Sequence, residues 1–260
     1  MPRKLFAALV VTSIMLTIAV GSAQANDNND PCKGLPSHYA LQKALSQAQS
    51  ESNGGFGLNM WATVVNRDGV VCAVAFTGNN RGDQWPGSRV ISAQKANTAN
   101  AFSIPGLALS TANLYSAVQP GGSLYGLQHS NPVDTGVAYG GNSANYGQVN
   151  DPMVGQKIGG VNVFGGGLAL YNSNHQLIGA VGVSGDSSCA DHNIAWKTRH
   201  NLNLDFVPAG VSGDPSRPDN IVYDIVYQPG FGEGVSPSGW GHPVCSAAAE
   251  TVAAGLHPTQ

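Results

Sequence analysis

The chain has 260 residues, of which only 10% are charged, and its formal net charge is -3. It holds no basic stretch, so neither nucleic acid nor an anionic membrane surface is an expected partner. With 34 glycines and 42% hydrophobic residues, the composition indicates a modest folded core with many turns and loops, and it does not indicate disorder.

The first 25 residues have the three parts of a secretory signal peptide. Arg3 and Lys4 form a positive start, residues 5–20 are uncharged and mostly apolar, and Ala23-Gln24-Ala25 is an A-x-A cleavage site. A membrane anchor is disfavoured because the apolar run is shorter than the ~20 residues that span a bilayer. We predict cleavage after Ala25 and a secreted or periplasmic protein, whose formal charge goes from -3 to -5 with the loss of two cations.

Four cysteines remain after cleavage, and an even number in an exported protein indicates two disulfides. Three pairings are open. We favour Cys32–Cys245, which would join the two ends of the mature chain, together with Cys72–Cys189; free buried thiols are the alternative. No C-x-x-C is present, which argues against a zinc ribbon or a thioredoxin-type redox site.

The first half of the mature chain predicts two helices and a hairpin after a polar arm at residues 26–37. Residues 38–50 have apolar side chains at helical spacing. Residues 61–65 and 70–76 are β-rich runs joined by an Asp-Gly turn, which is a strong hairpin signal. Residues 88–102 form the second predicted helix.

The predicted helix 88–102 has a lysine and a hydroxyl on its apolar stripe. Lys95 and Thr98 share a face with Ile91 and Phe102. A lysine in such a place either extends its amine to solvent or is half buried with a lowered pKa. Extension to solvent is favoured when Lys95 is considered alone.

The second half predicts short strands, long loops and one further helix. Residues 111–118 indicate a short helix, and residues 136–139 a short strand within a loop rich in Asn, Gly, Ser and Pro at 130–160. Further elements are predicted as strands at 161–164, 168–171, 177–183 and 221–227, and as a helix at 188–202. Hairpin-joined strands with helices beside them predict an α+β layered domain.

Familiar catalytic motifs are missing. Gly182-Val183-Ser184-Gly185-Asp186 lacks the last glycine of a nucleophile elbow, so a turn at a strand end is favoured. His192 and His200 are eight residues apart and do not form a two-ligand helix face, so each is interpreted as a solvated or capping histidine. C-x-x-C-H is absent, which excludes covalent c-type haem attachment and leaves non-covalent haem open.

Two glycine-containing segments are candidates for a ligand site. Residues 119–131 place Tyr125 and His129 in a glycine-flanked loop, and such loops often meet ligands. The triplet Gly165-Gly166-Gly167 marks either a bend where backbone packs closely or the wall of a ligand pocket, and glycine suits both roles.

Four motifs occur in a fixed order: residues 92–99 (SAQKANTA), 119–126 (QPGGSLYG), 164–167 (FGGG) and 178–185 (IGAVGVSG). Together they resemble the GlcG/HbpS family, whose domain is described as haem-binding or haem-degrading. The resemblance covers residues 38–202 and leaves 203–260 as a C-terminal extension. It implies a profilin-like α+β fold with a five-stranded antiparallel sheet flanked by helices. It also implies homo-oligomers and, in some members, non-covalent haem binding for haem handling or redox sensing.

The resemblance makes haem the expected cofactor of this chain. His129 is then the candidate axial ligand of the iron, because neutral imidazole is a common iron ligand. Tyr125 would be a second ligand or a wall, and Lys95 or Arg81 would pair with the haem propionates. The predicted cofactor-binding set is completed by Thr98, Gly165, Gly166 and Gly167.

An insert from Asn142 to Lys157 and the extension depart from the family pattern, and either could cover or remodel the ligand site. Two other functions stay open. One is an enzyme acting on small organic acids or lactones with Lys95 or His129 as general base. The other is a structural or scavenging oligomer without chemistry of its own, since a fold does not fix a function. Catalytic haem degradation is left open, because the sequence shows neither a reductant nor an oxygen pocket.

Overall fold

The computed structural model describes residues 30–227 and 234–260. From Pro31 onwards these residues belong to a single unit. The predicted signal peptide, residues 1–25, and the first residues of the arm lie outside the described part. Among the described residues, no helix has the length and apolar character that crossing a bilayer requires.

The core of the fold is an antiparallel sheet of four strands, in the order β2-β1-β4-β3. Its strands are β1 (Trp61–Asn66), β2 (Val71–Phe76), β3 (Gly167–Tyr171) and β4 (Leu177–Ser184). All six residues of the central strand β1 are buried, because helices or loops cover both faces of the sheet. The α+β prediction is confirmed, although the described residues contain four strands where the resemblance implied five.

Residues 161–164, predicted as a strand, lie beside the sheet without joining it. Their backbone groups bond to side chains instead of to a neighbouring strand. The Asn162 amide donates to Thr98 Oγ1 over 3.0 Å, and Thr111 Oγ1 donates to the Phe164 carbonyl. The apolar run at residues 161–164 therefore indicated correctly that most of these residues are buried, but the strand predicted from it is not formed.

Helices cover the two faces of the sheet. The helices α1 (His38–Gln49) and α5 (Ser188–Asn201) share one face, where Leu41, Leu45 and Trp196 are buried. The helix α2 (Ser88–Phe102) lies on the other face. It approaches β4 so closely that a Cβ on Gly182 would lie 2.0 Å from the Ser92 carbonyl oxygen, so glycine is required there.

Three local predictions are corrected by the structure. Residues 136–139 belong to a short helix, α4 (Thr135–Ala138), because Asp134 caps its first turn by accepting from the Val137 amide. The segment 111–118 forms two 3₁₀ turns instead of one helix. Residues 221–227 make only isolated bridges, to Val235 and Gly241, and are not a strand.

The predicted disulfide pairing is wrong, although two disulfides are present. The bonds are Cys32–Cys72 and Cys189–Cys245. The arm runs along the first hairpin, where Asn66 Nδ2 donates to the Pro31 carbonyl over 2.8 Å, and this brings Cys32 to β2. The extension in turn returns to α5 and brings Cys245 to that helix. Both pairings follow from tertiary packing, which the spacing of cysteines along the sequence does not predict.

The insert and the extension are both packed onto the domain. Within the insert, Gly155 donates to the Val71 carbonyl, and the Val71 amide donates to Gln156, so the insert follows the outer edge of β2. The extension ends in α6 (Ala247–Ala254), which packs against α5. A further single-turn helix, α3 (Leu127–Ser130), lies in the loop that precedes the insert.

Candidate functional site

A buried ion pair joins α2 to the first turn of α5. Lys95 Nζ lies 2.7 Å from Asp191 Oδ2 and 3.1 Å from the Val183 carbonyl oxygen, which it also contacts as a donor. Both side chains are almost fully buried. The expectation that Lys95 extends to solvent is therefore wrong, because Asp191 offers its ammonium a buried partner.

Asp191 organises the backbone around this pair, which we call the polar centre. Its Oδ1 accepts from the Asp186 amide at 2.8 Å, and the Asp186 carboxylate accepts from the amides of Phe56 and Leu58. Burial raises the pKa of Asp191 to about 6, since the lost hydration outweighs the attraction of the Lys95 ammonium. The first turn of α5 favours the ionised carboxylate through its dipole.

The glycine triplet lies directly over the polar centre. A Cβ on Gly166 would lie 3.2 Å from Lys95 Nζ, and a Cβ on Gly165 would lie 2.3 Å from the Ser188 carbonyl oxygen. A Cβ on Gly167 would collide with the Lys95 backbone. The triplet is thus required for close packing against α2 and α5, and Gly166 adopts a positive φ of 115°.

Two buried histidines lie near the N-terminal end of α5. Burial lowers the pKa of His192 to about 3 and that of His242 to about 4, so both rings are neutral at physiological pH. His242 Nε2 lies 3.2 Å from Ser188 Oγ, and its Nδ1 lies 2.8 Å from the Pro243 carbonyl oxygen. The interpretation of His192 as a solvated or capping residue is wrong, because it is fully buried and its Nε2 lies 3.1 Å from both Asn220 Oδ1 and the Ile221 amide of the extension.

An open cleft of about 680 Å³ lies beside His242. Residues drawn from 115–123 form one wall, and residues drawn from 225–227 and 234–243 of the extension form the other. The Tyr115 ring, which lines the cleft, lies 5.1 Å from the His242 ring between centroids. Among the described lining residues there is no charged side chain. The volume falls within the ~300–1,000 Å³ that is usual for small-molecule sites.

The structure brings together only some of the residues that the sequence singled out. Lys95, Thr98 and the glycine triplet lie in or next to the polar centre, and Thr98 is fully buried. Tyr125 and His129 are exposed on the segment that continues from the cleft wall, but neither lines the cleft. These positions do not assign a cofactor role to any of them.

Arg81 belongs to a different cavity, of about 260 Å³. That cavity is also lined by Trp61, Tyr139 and Tyr146, and by Arg89, whose guanidinium lies over the Tyr146 ring. Arg89 is itself paired with the buried carboxylate of Asp151 in the insert. None of the other predicted cofactor-binding residues lines this cavity.

Tyr115 and the extension residues in the cleft were missed by the sequence-based predictions. Tyr115 follows a buried 3₁₀ turn, and Ile225 and Val235 are apolar residues in a stretch rich in Gly and Pro. Their partners are about 110 to 125 residues away along the chain, as the hydrogen bond from Ser116 Oγ to Gly241 shows. Only the folded structure brings such residues together.

The fold and its polar centre define a small α+β domain with a helix on one face of an antiparallel sheet and two on the other. Residues 37–199, more than half of the chain, match the family described as "Haem degrading protein HbpS-like". The chain therefore belongs to this HbpS-like family, as the sequence motifs indicated. No curated protein matches the chain.

Three solved structures are similar to part of this chain. A PduOC:haem complex is 23% identical with a TM-score of 0.45, covering 64% of this chain and 91% of its own. The Klebsiella pneumoniae protein ORFY is 26% identical with a TM-score of 0.43, covering 64% and 90%. HbpS is 16% identical with a TM-score of 0.38, covering 64% and 88%.

Proposed function

We propose that this protein binds haem non-covalently in the cleft between residues 115–123 and the extension. The observation that carries the proposal is a cleft of about 680 Å³ in a member of a haem-related family. One of its walls is the segment Gln119–Gly122, which is among the motifs that indicated the family. The extension supplies the other wall, so in this chain it would shape the site instead of blocking it.

The residues of the cleft fit haem in wall chemistry as well as in size. Tyr115, Ile225 and Val235 offer apolar and aromatic surface, which suits the faces of a porphyrin. No cation lines the described part of the cleft, so we expect the carboxylates of the cofactor to face water. When bound, haem supplies an iron centre for electron transfer or for O₂ chemistry.

His129 remains our proposed axial ligand. It is exposed, its ring makes no hydrogen bond to the described residues, and it follows the cleft wall by only a few residues. Tyr125, which does not line the cleft itself, is proposed as a further contact of the haem. Tyr227 is the alternative ligand, because it lines the cleft, is 69% exposed and carries a phenol, which also binds haem iron.

A hemin titration of the full chain tests the proposal. We expect a saturable Soret shift, and we expect Val235→Trp, which fills the cleft, to weaken hemin binding by at least ~10-fold (about 1.4 kcal/mol). Val244→Trp is the matched control, because Val244 is similarly exposed, at 49% against 54%, and does not line the cleft. Absence of a saturable shift, or equal weakening by both substitutions, would show that the cleft is not a haem site.

The axial ligand is tested separately by His129→Ala and Tyr227→Phe. If His129 is the ligand, its variant alone changes the Soret position and the electron paramagnetic resonance of the ferric complex. If only Tyr227→Phe changes these spectra, the proposal of the cleft as the haem site is supported and the assignment of His129 as the axial ligand is wrong.

The geometry does not favour Lys95 as a propionate partner or as a general base. Its ammonium is 1% exposed and already bound to Asp191, so an incoming carboxylate would have to displace that residue. Arg81 lies in the other cavity. We therefore place the proposed function on the cleft, and no specific observation supports an enzyme of small organic acids.

We also propose that the protein is exported and self-associates. Two disulfides support an oxidising compartment, in which such bonds persist. Mass spectrometry of the protein recovered from its host should find Asn26 as the first residue. Light scattering at several concentrations should give a mass above that of one chain, and a strictly monomeric protein would contradict the second part.

A further inference from the structure

A cluster of two histidines and an aspartate lies at the C-terminal end of α5. His200 Nδ1 lies 2.8 Å from Asp205 Oδ2, and the centroids of the His200 and His257 rings lie 3.6 Å apart with the ring planes inclined by 38°. One nitrogen from each ring and one oxygen from the carboxylate lie within 4.8 Å of one another. Two adjacent imidazoles next to a carboxylate bring three metal-ligating groups into one place.

His257 holds a nitrogen that nothing in the described structure satisfies. Its Nδ1 lies 3.2 Å from the Pro258 carbonyl oxygen, which is an acceptor, so Nδ1 carries the ring proton. Its Nε2 then has a lone pair, and this atom is buried without a hydrogen-bond partner. A buried polar atom left in this way costs free energy unless a ligand completes it. A histidine that donates one N–H to a carbonyl and keeps the other nitrogen free has the arrangement of a metal ligand.

The rest of the cluster is held in place before any ligand arrives. Asp205 is buried, and its Oδ1 accepts from Gln260 Nε2 at 2.8 Å. Trp196 Nε1 donates to the His257 carbonyl at 3.1 Å, which fixes the backbone of that residue. The His200 side chain is 40% exposed, so the cluster has an opening to solvent. Preorganised ligands with an entry path are what a metal site requires.

The charge of Arg199, the residue before His200, does not oppose a positive ligand. Arg199 precedes His200 and is fully buried, but both of its terminal nitrogens bond to the Asp219 carboxylate, at 2.6 and 2.8 Å. Its charge is thereby compensated within the fold. The Asp205 carboxylate is left as the charge that faces the two rings.

We propose that His200, Asp205 and His257 form a binding site for one divalent transition-metal cation, of the Zn²⁺ or Ni²⁺ class. Two imidazoles with one carboxylate favour these borderline cations over Mg²⁺ and Ca²⁺, which prefer oxygen ligands alone. All three residues lie beyond the family-matched residues 37–199. The extension thus supplies two of the three ligands, the end of α5 supplies the third, and none of them lines the cleft proposed for haem.

Titration of the full, oxidised chain with Zn²⁺ in the absence of haem tests the proposal. We expect one Zn²⁺ per chain, and we expect His200→Gln and His257→Gln each to weaken it by ~100-fold or more, since even loss of an orienting partner costs 10–100-fold. His175→Gln is the control: His175 is exposed, its Nδ1 lies 3.0 Å from the Phe206 carbonyl oxygen, and it lies outside the cluster. Circular dichroism confirms that each variant is folded.

Co²⁺ gives a second measurement that binding elsewhere would not reproduce. The wild-type complex should show visible d–d absorption of a low-coordinate site, and His200→Gln, a change at a half-exposed residue, should abolish it without unfolding the protein. The proposal is overturned if the wild type binds no Zn²⁺. It is equally overturned if both cluster variants bind as tightly as His175→Gln. Hemin binding should be the same in all of these proteins, so failure here is distinguishable from failure of the haem proposal.

Discussion

The two ends of α5 hold the extension in different ways. At the N-terminal end the link is covalent, through Cys189–Cys245, and the neighbouring histidines are buried and neutral. At the C-terminal end it is non-covalent, through the bidentate Arg199–Asp219 pair and the contact of the His257 ring with the His200 ring. The N-terminal end thus holds buried histidines, whereas the C-terminal end keeps a cluster in which His200 is half exposed.

Each end of α5 has a charged residue whose sign the helix dipole favours, but the residues that pair with these charges differ. Asp191 in the first turn and Arg199 in the last turn each have the sign that the dipole favours. Asp191 pairs with a lysine of the family domain, whereas Arg199 pairs with an aspartate of the extension. A lysine can lose its proton when its partner is removed, but an arginine in a protein cannot. Loss of the partner aspartate should therefore destabilise the protein more at the C-terminal end than at the N-terminal end.

The largest effect should come from breaking the pair at the C-terminal end. Asp219→Asn leaves the fully buried Arg199 charged, so we expect it to lower the free energy of unfolding by about 3–5 kcal/mol. Asp191→Asn should cost less, about 2–3 kcal/mol, because Lys95 can become neutral. Urea unfolding at pH 7 measures both values. Equal losses would show that the difference between lysine and arginine does not matter here.

Removing the covalent link should have an effect of similar or slightly smaller size. The Cys189→Ala/Cys245→Ala variant frees a loop of separation 56, which we expect to cost about 4 kcal/mol through the unfolded-state entropy. The matched variant without Cys32 and Cys72, of separation 40, should lose nearly the same. A much larger loss for Cys189–Cys245 than for its counterpart would indicate that the bond also holds the native extension in place.

The smallest expected effect is a change in how the free energy of unfolding depends on pH, through His242 near the N-terminal end of α5. The folded-state pKa of His242, about 4, lies below the ordinary 6.5, so its contribution to stability is complete above pH 6.5 and is lost as pH falls towards 4. His242→Gln removes this proton uptake. The slope of unfolding free energy between pH 6.5 and 4 should then fall by up to ~1.4 kcal/mol per pH unit.

Asp191 acts in the opposite sense and provides the internal check. Its folded-state pKa, about 6, lies above the ordinary 3.8, so its contribution is present below 3.8 and is lost as pH rises through 6. The difference between wild type and His242→Gln isolates the histidine because both proteins keep Asp191. Identical slopes would mean that His242 is solvated in the folded protein.

Local sequence patterns were sufficient for the layers of the fold. Both hairpins and the helices α1, α2 and α5 lie within one or two residues of their predicted bounds, because periodicity and turn chemistry act over short distances. The strand predicted at residues 136–139 was wrong for a local reason as well. Asp134 caps a helix that begins at Thr135, and this cap outweighed the strand preference of the β-branched and aromatic residues. The predicted hairpins also indicated the antiparallel sheet, whereas the family resemblance implied five strands and the described residues contain four.

The candidate site was less accessible to sequence reasoning, because its contacts are long-range. Lys95 was singled out correctly as unusual, but its partner Asp191 lies 96 residues away, and burial of the pair could not be read from the helical stripe. The disulfide pairing failed for the same reason. His257 and Asp205 belong to a stretch without hydrophobic periodicity, so the sequence does not predict which residues they contact.

Both outer edges of the four-stranded sheet are partly occupied. Beyond β2, the Val71 backbone bonds to the insert and the His38 ring contacts the Val74 carbonyl; beyond β3, the Tyr171 amide donates to the Leu204 carbonyl and Arg199 donates to the Ala169 carbonyl. Addition of a strand from a second molecule is therefore obstructed at these positions. An assembly that keeps these contacts intact would form through side-chain surfaces of helices and loops, which a partner recognises by shape and charge.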